Sequence, residues 1–175
     1  PRTSSAASDV YKRQGKTTLL NILAGISSPL KGEIIFNRNI KVTDEVSWFN
    51  SIGYVDQKGF LFESSIKENI ILENEYDESF YNEIIDNLRI DFKTVGKNKD
   101  AFSGGQIKKI LLARELYKKP QMLLLDETTS SLDDKNEDFI LQYIQKLNIE
   151  NNMIVVMVTH TKKNLKYCNK KIELK

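Results

Sequence analysis

The chain has 175 residues, 40% of them hydrophobic, with 26 Lys and Arg against 24 Asp and Glu for a formal net charge of +2. That is enough apolar material for the core of one globular domain, and the basic residues are too evenly scattered for a nucleic-acid footprint. The longest apolar run, Met153 to Val158, is far too short to cross a bilayer, and the single Cys168 has no partner for an internal disulfide and fits a reducing compartment.

In chain order, residues 1–14 are polar and show neither helical nor strand periodicity, and they lack the apolar core of a secretory signal. From Thr17 the spacing predicts a helix that buries Leu19, Leu20, Ile22 and Leu23 and stops at Gly25. Glu33 to Phe36 and Ser51 to Val55 read as strands separated by a polar segment that holds Trp48, and the second strand leads into Asp56 and Gln57. Residues 78–92 are predicted helical, with Phe80, Ile84, Ile85 and Leu88 on one face.

Ser103, Gly104, Gly105 and Gln106 then open an amphipathic helix. Ile107, Ile110, Leu111, Arg114 and Tyr117 recur at helical spacing, and Pro120 follows the end. The free N–H groups and positive dipole of such a helix start suit an anion, most naturally a phosphate. Met122 to Leu125 reads as a strand buried on both faces, ending in Asp126 and Glu127. Carboxylates at the carboxyl end of a buried strand stand where open α/β sheets place ligand chemistry. A helix from about Lys135 to Leu147, a buried strand Met153 to Val158 running into Thr159 and His160, and a short strand from Lys171 to Leu174 complete the chain.

SGGQ, a helix, LLLDE and SSLD, in that order and close together, resemble the nucleotide-binding domain of ATP-binding cassette (ABC) proteins. Gly15-Lys16-Thr17-Thr18-Leu19-Leu20 matches the second half of a phosphate-binding loop, G-x-x-x-x-G-K-[ST], whose first glycine is replaced by Val10. The resemblance covers residues 15 to about 174. It implies an α/β fold of the P-loop NTPase type, a mostly parallel sheet flanked by helices, with a small antiparallel β portion and a helical subdomain at about 58–101. Residues 1–14 are expected to be an unrelated segment fused in mid-motif to a partial domain spanning 15–175, which would bind ATP poorly by itself. A divergent but functional loop is the competing reading.

The resemblance also implies roles. Gly15, Lys16, Thr17 and Thr18 would hold ATP phosphates, and Thr17, Gln57 and Asp126 would organise Mg²⁺. Glu127 would act as general base on the attacking water, with Gln57 and His160 completing the catalytic group. Two such domains would pair head to tail, so that Ser103, Gly104, Gly105 and Gln106 of one reach the nucleotide of the other and Asp133 braces the contact. Leu61-Phe62, Ile66 and Glu68-Asn69-Ile70 resemble exporters in particular, as does Thr94-Val95-Gly96, although Lys97 stands where exporters commonly carry an acid. The implied function is ATP hydrolysis powering export, with a transmembrane domain, fused or separate, placing the chain at the cytoplasmic face of the cell membrane. A non-transport ABC ATPase would show a second cassette or a large insertion. A regulatory module without turnover would have no need of Glu127 and His160.

Overall fold

The computed structural model describes residues 15–36, 40–41, 45–91, 102–129 and 133–173. Its elements are α1 (Lys16–Leu23), β1 (Ile35–Phe36), β2 (Ile40–Lys41), α2 (Glu45–Ser51), β3 (Ile52–Val55), α3 (Ile66–Ile71), α4 (Glu78–Asn87), α5 (Gly104–Tyr117), β4 (Met122–Asp126), α6 (Asp134–Glu150), β5 (Ile154–Val158) and a 3₁₀ helix (Lys162–Tyr167). Strands β3, β4 and β5 form a parallel sheet in that order, in the register Val55↔Leu125 and Asp126↔Val158, and β1 pairs with β2 antiparallel. This is the α/β architecture with a small antiparallel portion that the sequence predicts.

The sheet carries a hydrophobic cluster on each face, because side chains alternate along a strand. Leu123 and Leu125 join a large cluster with Ile110, Leu112, Leu116, Ile140 and Ile144. Leu124 and Met122 join a smaller one with Leu20, Ala24, Trp48 and Ile52. Strand β4 is buried along its whole length, as an all-apolar run between two parallel neighbours should be. Strand β5 departs from expectation. Ile154 is 41% exposed and the rest of the strand only half-buried, since among the described residues β5 pairs on one side alone.

Helix α5 is more deeply set than an amphipathic stripe requires. Every residue from Lys109 to Tyr117 is buried, because the helix packs against α3, α4 and β3 at once. The polar groups carried inside are answered: Arg114 donates to the Asn69 carbonyl (2.7 Å), Asn69 Oδ1 (2.8 Å) and the Phe60 carbonyl (3.1 Å). Glu115 accepts from the Tyr54 N–H at 3.2 Å and from Lys118 at 2.7 Å. Pairing of this kind is what makes buried charge tolerable.

Helices α2 and α3 lie where the sequence reading placed none. The polar segment around Trp48 forms α2, and the indole N–H donates to the Leu23 carbonyl at 3.0 Å. Gly25 is needed there twice over: its φ is +75°, and a Cβ on it would meet the Trp48 ring at 3.1 Å. Helix α3 is too short for periodicity to reveal, yet its start is a capping box in which Ser65 and Glu68 bond each other's backbone N–H. Helix α4 ends earlier than predicted, at Asn87, where the chain turns through Arg89 at φ +51°. Among the described residues 171–173 there is no strand, and 92–101 fall outside them, as do 1–14.

Candidate functional site

Because the three strands are parallel, their carboxyl ends lie together, and each runs into a polar pair: Asp56-Gln57 after β3, Asp126-Glu127 at the end of β4, and Thr159-His160 after β5. The amino terminus of α1 meets the same edge. Gly15 takes φ +74° at its N-cap, and its carbonyl accepts the Leu19 N–H at 2.8 Å, which turns the chain into the helix. The Thr17 hydroxyl thereby comes within 2.8 Å of Asp126 Oδ2.

Glu127 is the hub. Gln57 Nε2 donates to its Oε2 at 3.0 Å, and His160 Nε2 lies 2.8 Å from its Oε1. Its backbone is held as firmly as its carboxylate: φ is +50°, a left-handed conformation that costs a side-chain-bearing residue about 1–2 kcal/mol. Two contacts brace that turn. The Glu127 N–H donates to the Val158 carbonyl at 3.2 Å, and the Lys108 ammonium donates to the Glu127 carbonyl at 2.7 Å.

Burial raises the Asp126 carboxyl above the ordinary carboxylate range; the Thr17 hydroxyl opposes this, and the Glu127 and Asp56 carboxylates add to it. Tyr54, beneath the site, donates its hydroxyl to Asn21 Oδ1 at 3.0 Å. Its phenol is pushed up to about 12 by burial and by Asp126 and Asp56, so it stays a neutral donor. Burial lowers the Lys108 ammonium, and the Glu127 and Asp126 carboxylates pull it back.

Among the described residues no group of three or more His, Cys, Asp and Glu could enclose a metal ion. Mg²⁺ usually keeps water and phosphate oxygens beside one or two protein ligands, and Thr17 and Asp126 offer one oxygen each. The 2.8 Å between the Thr17 and Asp126 oxygens is close to the roughly 2.9 Å separating adjacent ligands of an octahedral Mg²⁺.

The residues expected to serve a second copy lie apart from this hub. Ser103 caps α5 by a capping box, its hydroxyl accepting the Gln106 N–H at 3.3 Å while Gln106 Oε1 accepts the Ser103 N–H at 2.9 Å. Ser103 and Gly104 are exposed, and a Cβ on Gly104 would meet nothing within 4 Å. Asp133 is an exposed N-cap of α6 that accepts from the Asn136 N–H at 3.1 Å. Thr18 is exposed and Lys16 half-buried at the start of α1. Sequence reasoning passed over Lys108. The signal available was its place two residues beyond Gln106 on the same helix.

The chain is similar to several known proteins. The family model described as ABC transporter matches residues 14–130. The colicin V secretion/processing ATP-binding protein CvaB of Escherichia coli is 33% identical over an alignment of 172 positions that covers 91% of this chain and 24% of that protein. The probable iron export ATP-binding protein FetA of Escherichia coli K12 is 30% identical over 91% of this chain and 74% of its own length. The dimeric structure of MJ0796, a bacterial ABC transporter cassette, superposes with a TM-score of 0.76 at 27% identity, covering 88% of this chain and 73% of that one. The chain thus spans about a quarter of the length of the first curated relatives it matches.

Proposed function

The chain belongs to the ABC transporter family, and from that premise we propose that it is the nucleotide-binding domain that binds and hydrolyses MgATP to power export across a membrane. The observation that carries this reading is the convergence of Thr17, Gln57, Asp126, Glu127 and His160 at one sheet edge, with Thr17 2.8 Å from Asp126 and Gln57 and His160 at 3.0 Å and 2.8 Å from the two carboxylate oxygens of Glu127. Phosphoryl transfer to water asks a protein for positioning and charge neutralisation more than for covalent chemistry, and each residue meets part of that demand. Lys16 and the amides at the start of α1 hold the phosphates. Thr17 and Asp126, with Gln57, would hold Mg²⁺, which would supply neutralisation of phosphate charge. Glu127 takes the proton from the attacking water, oriented by Gln57 on one oxygen and by His160 on the other.

The remaining residues serve a second copy. Gly104 has open space around it within its own chain, so nothing internal demands a glycine there, whereas a phosphate approaching the α5 N-terminus does. Two copies arranged head to tail would place Ser103, Gly104, Gly105 and Gln106 of one on the nucleotide of the other, braced by Asp133. The MJ0796 cassette, a dimer, supports pairing, and the secretion and export relatives support a transmembrane partner, fused or separate, with the chain at the cytoplasmic face of its membrane. The deciding experiment is phosphate release from MgATP by the chain with residues 10–14 replaced by a glycine-rich phosphate-binding loop that restores nucleotide binding, beside the same protein carrying Glu127→Gln. Turnover falling about 10²-fold or more in the glutamine variant is expected, and equal turnover would remove Glu127 as the base.

A further inference from the structure

The contact between Lys108 and Glu127 joins two elements that the reaction needs in concert, the helix opened by Ser103 and the residue that activates water. Lys108 lies about one turn into α5 beyond Gly104, and its Nζ reaches the carbonyl of Glu127, not the carboxylate, at 2.7 Å. That carbonyl belongs to a residue at φ +50°, turned away from the extended path of β4. A left-handed residue with a side chain persists only when its surroundings hold it. One acceptor and one donor do so here: the Val158 carbonyl takes the Glu127 N–H at 3.2 Å, and the Lys108 ammonium donates to the carbonyl on the other side of the residue.

We propose that Lys108 is a positioning residue that fixes the left-handed turn at Glu127, and so links the placement of the SGGQ helix to the aim of the general base within one chain. The inference rests on the reading of Glu127 as base for its functional meaning, while the link itself is a property of the nucleotide-free fold. A charge-assisted bond to a carbonyl is among the stronger hydrogen bonds a protein makes. It is also directional, so a shift of α5 along its axis drags or releases the Glu127 carbonyl. When a second copy engages Ser103, the resulting pull on α5 is felt at Glu127 of the same chain, one residue beyond Asp126. The α5 N-terminus thereby acts on two sites, the partner's nucleotide directly and its own base through Lys108.

The test is amide hydrogen exchange on the full nucleotide-free chain and on Lys108→Met and Lys108→Arg, read at Glu127 and at Leu123, Leu124 and Leu125. Lys108→Met keeps the unbranched apolar stem and removes the donor, so protection of the Glu127 amide is expected to fall about tenfold while the three leucine amides keep theirs. Lys108→Arg, which retains a donor, is expected to preserve Glu127 protection. Unchanged protection in the methionine variant would overturn the proposal, as would an equal fall at Leu123 to Leu125, which would make Lys108 a general support of the sheet. An arginine variant that loses protection as fully as methionine would overturn the hydrogen bond as its basis. No nucleotide enters the measurement, so a failure of the ATPase reading, detected through Glu127→Gln, leaves this result interpretable.

Discussion

Glu137 shows how a side chain outside the reacting group can keep that group in place. It is 3% exposed on α6, and Lys163 (2.8 Å), Asn164 Nδ2 (2.7 Å) and the Thr129 hydroxyl converge on its carboxylate. Asn164 also reaches Thr159 Oγ1 at 3.4 Å, and the Thr161 N–H donates to the same oxygen at 3.0 Å. One carboxylate thus ties the turn after Glu127 to the segment that carries His160. Burial raises its pKa, and the hydrogen bonds from Lys163, Asn164 and Thr129 lower it by more, so the net displacement is below the ordinary glutamate value. A depressed folded-state pKa contributes stability that is full above the unfolded-state pKa and is lost as pH falls through the folded one. Glu137→Gln is therefore expected to cost about 1–3 kcal/mol at pH 7. It should cost progressively less toward about pH 3, as urea unfolding at the two pH values would show. Equal losses at both would mean that the ion pair contributes nothing.

At the scale of elements, α5 does two jobs with one residue, and they can be separated. Ser103 caps the helix, and by our reading it also meets the partner's nucleotide. Ser103→Ala removes both and is expected to cost about 1 kcal/mol of stability. Ser103→Asp keeps a good cap, so thermal unfolding should stay close to that of the parent, but it sets a carboxylate against phosphate. Size-exclusion chromatography of the loop-restored Glu127→Gln protein with ATP is expected to show a dimer that Ser103→Asp abolishes. A dimer that survives Ser103→Asp would place the contact elsewhere.

The elements were legible in unequal measure, for physical reasons. Helix α5 and strand β4 declare themselves, since an apolar period with a capped start or an uninterrupted run of leucines has few other ways to fold. Helix α2 did not, because Trp48 is the one buried residue among those of the helix whose burial is described, and a single apolar anchor leaves no period to read. Strand β5 reads as central and, among the described residues, pairs on one side only, since an apolar run carries no record of how many neighbours it has. At the site, acids at strand ends could be placed from sequence because the strand fixes where they emerge. Lys108 could not, because its partner is a backbone carbonyl, and every residue has one of those.

In the whole molecule, the two faces of the sheet are unequally supported. The larger cluster draws on α3, α4, α5 and α6, whereas the smaller one, as far as the described residues go, consists of Leu20, Ala24, Trp48, Ile52, Met122 and Leu124. Less buried apolar area means a lower local unfolding free energy, and α1, which carries Lys16 and Thr17, rests on the weaker face. Trp48 is the chain's one tryptophan and 5% exposed there, so its emission reports that face alone. In urea its red shift is expected to precede the loss of far-UV helical signal, and coincident transitions would show instead that both faces melt as one unit.

The parallel register has a further consequence, for what lengths of chain the fold can absorb. Val55, Leu125 and Met157 stand side by side, one step before Asp56-Gln57 and Asp126-Glu127 and two before Thr159-His160. A single inserted residue within any of these strands would turn every later side chain to the opposite face and withdraw its Gln, Glu or His from the group. The opposite rim carries no such demand. There the chain passes through Lys119 and Asn152, both already in left-handed turns, and Asn151 and Asn152 are exposed. Insertions and deletions in proteins of this design should therefore collect at one rim of the sheet, leaving the other the same length in every one of them.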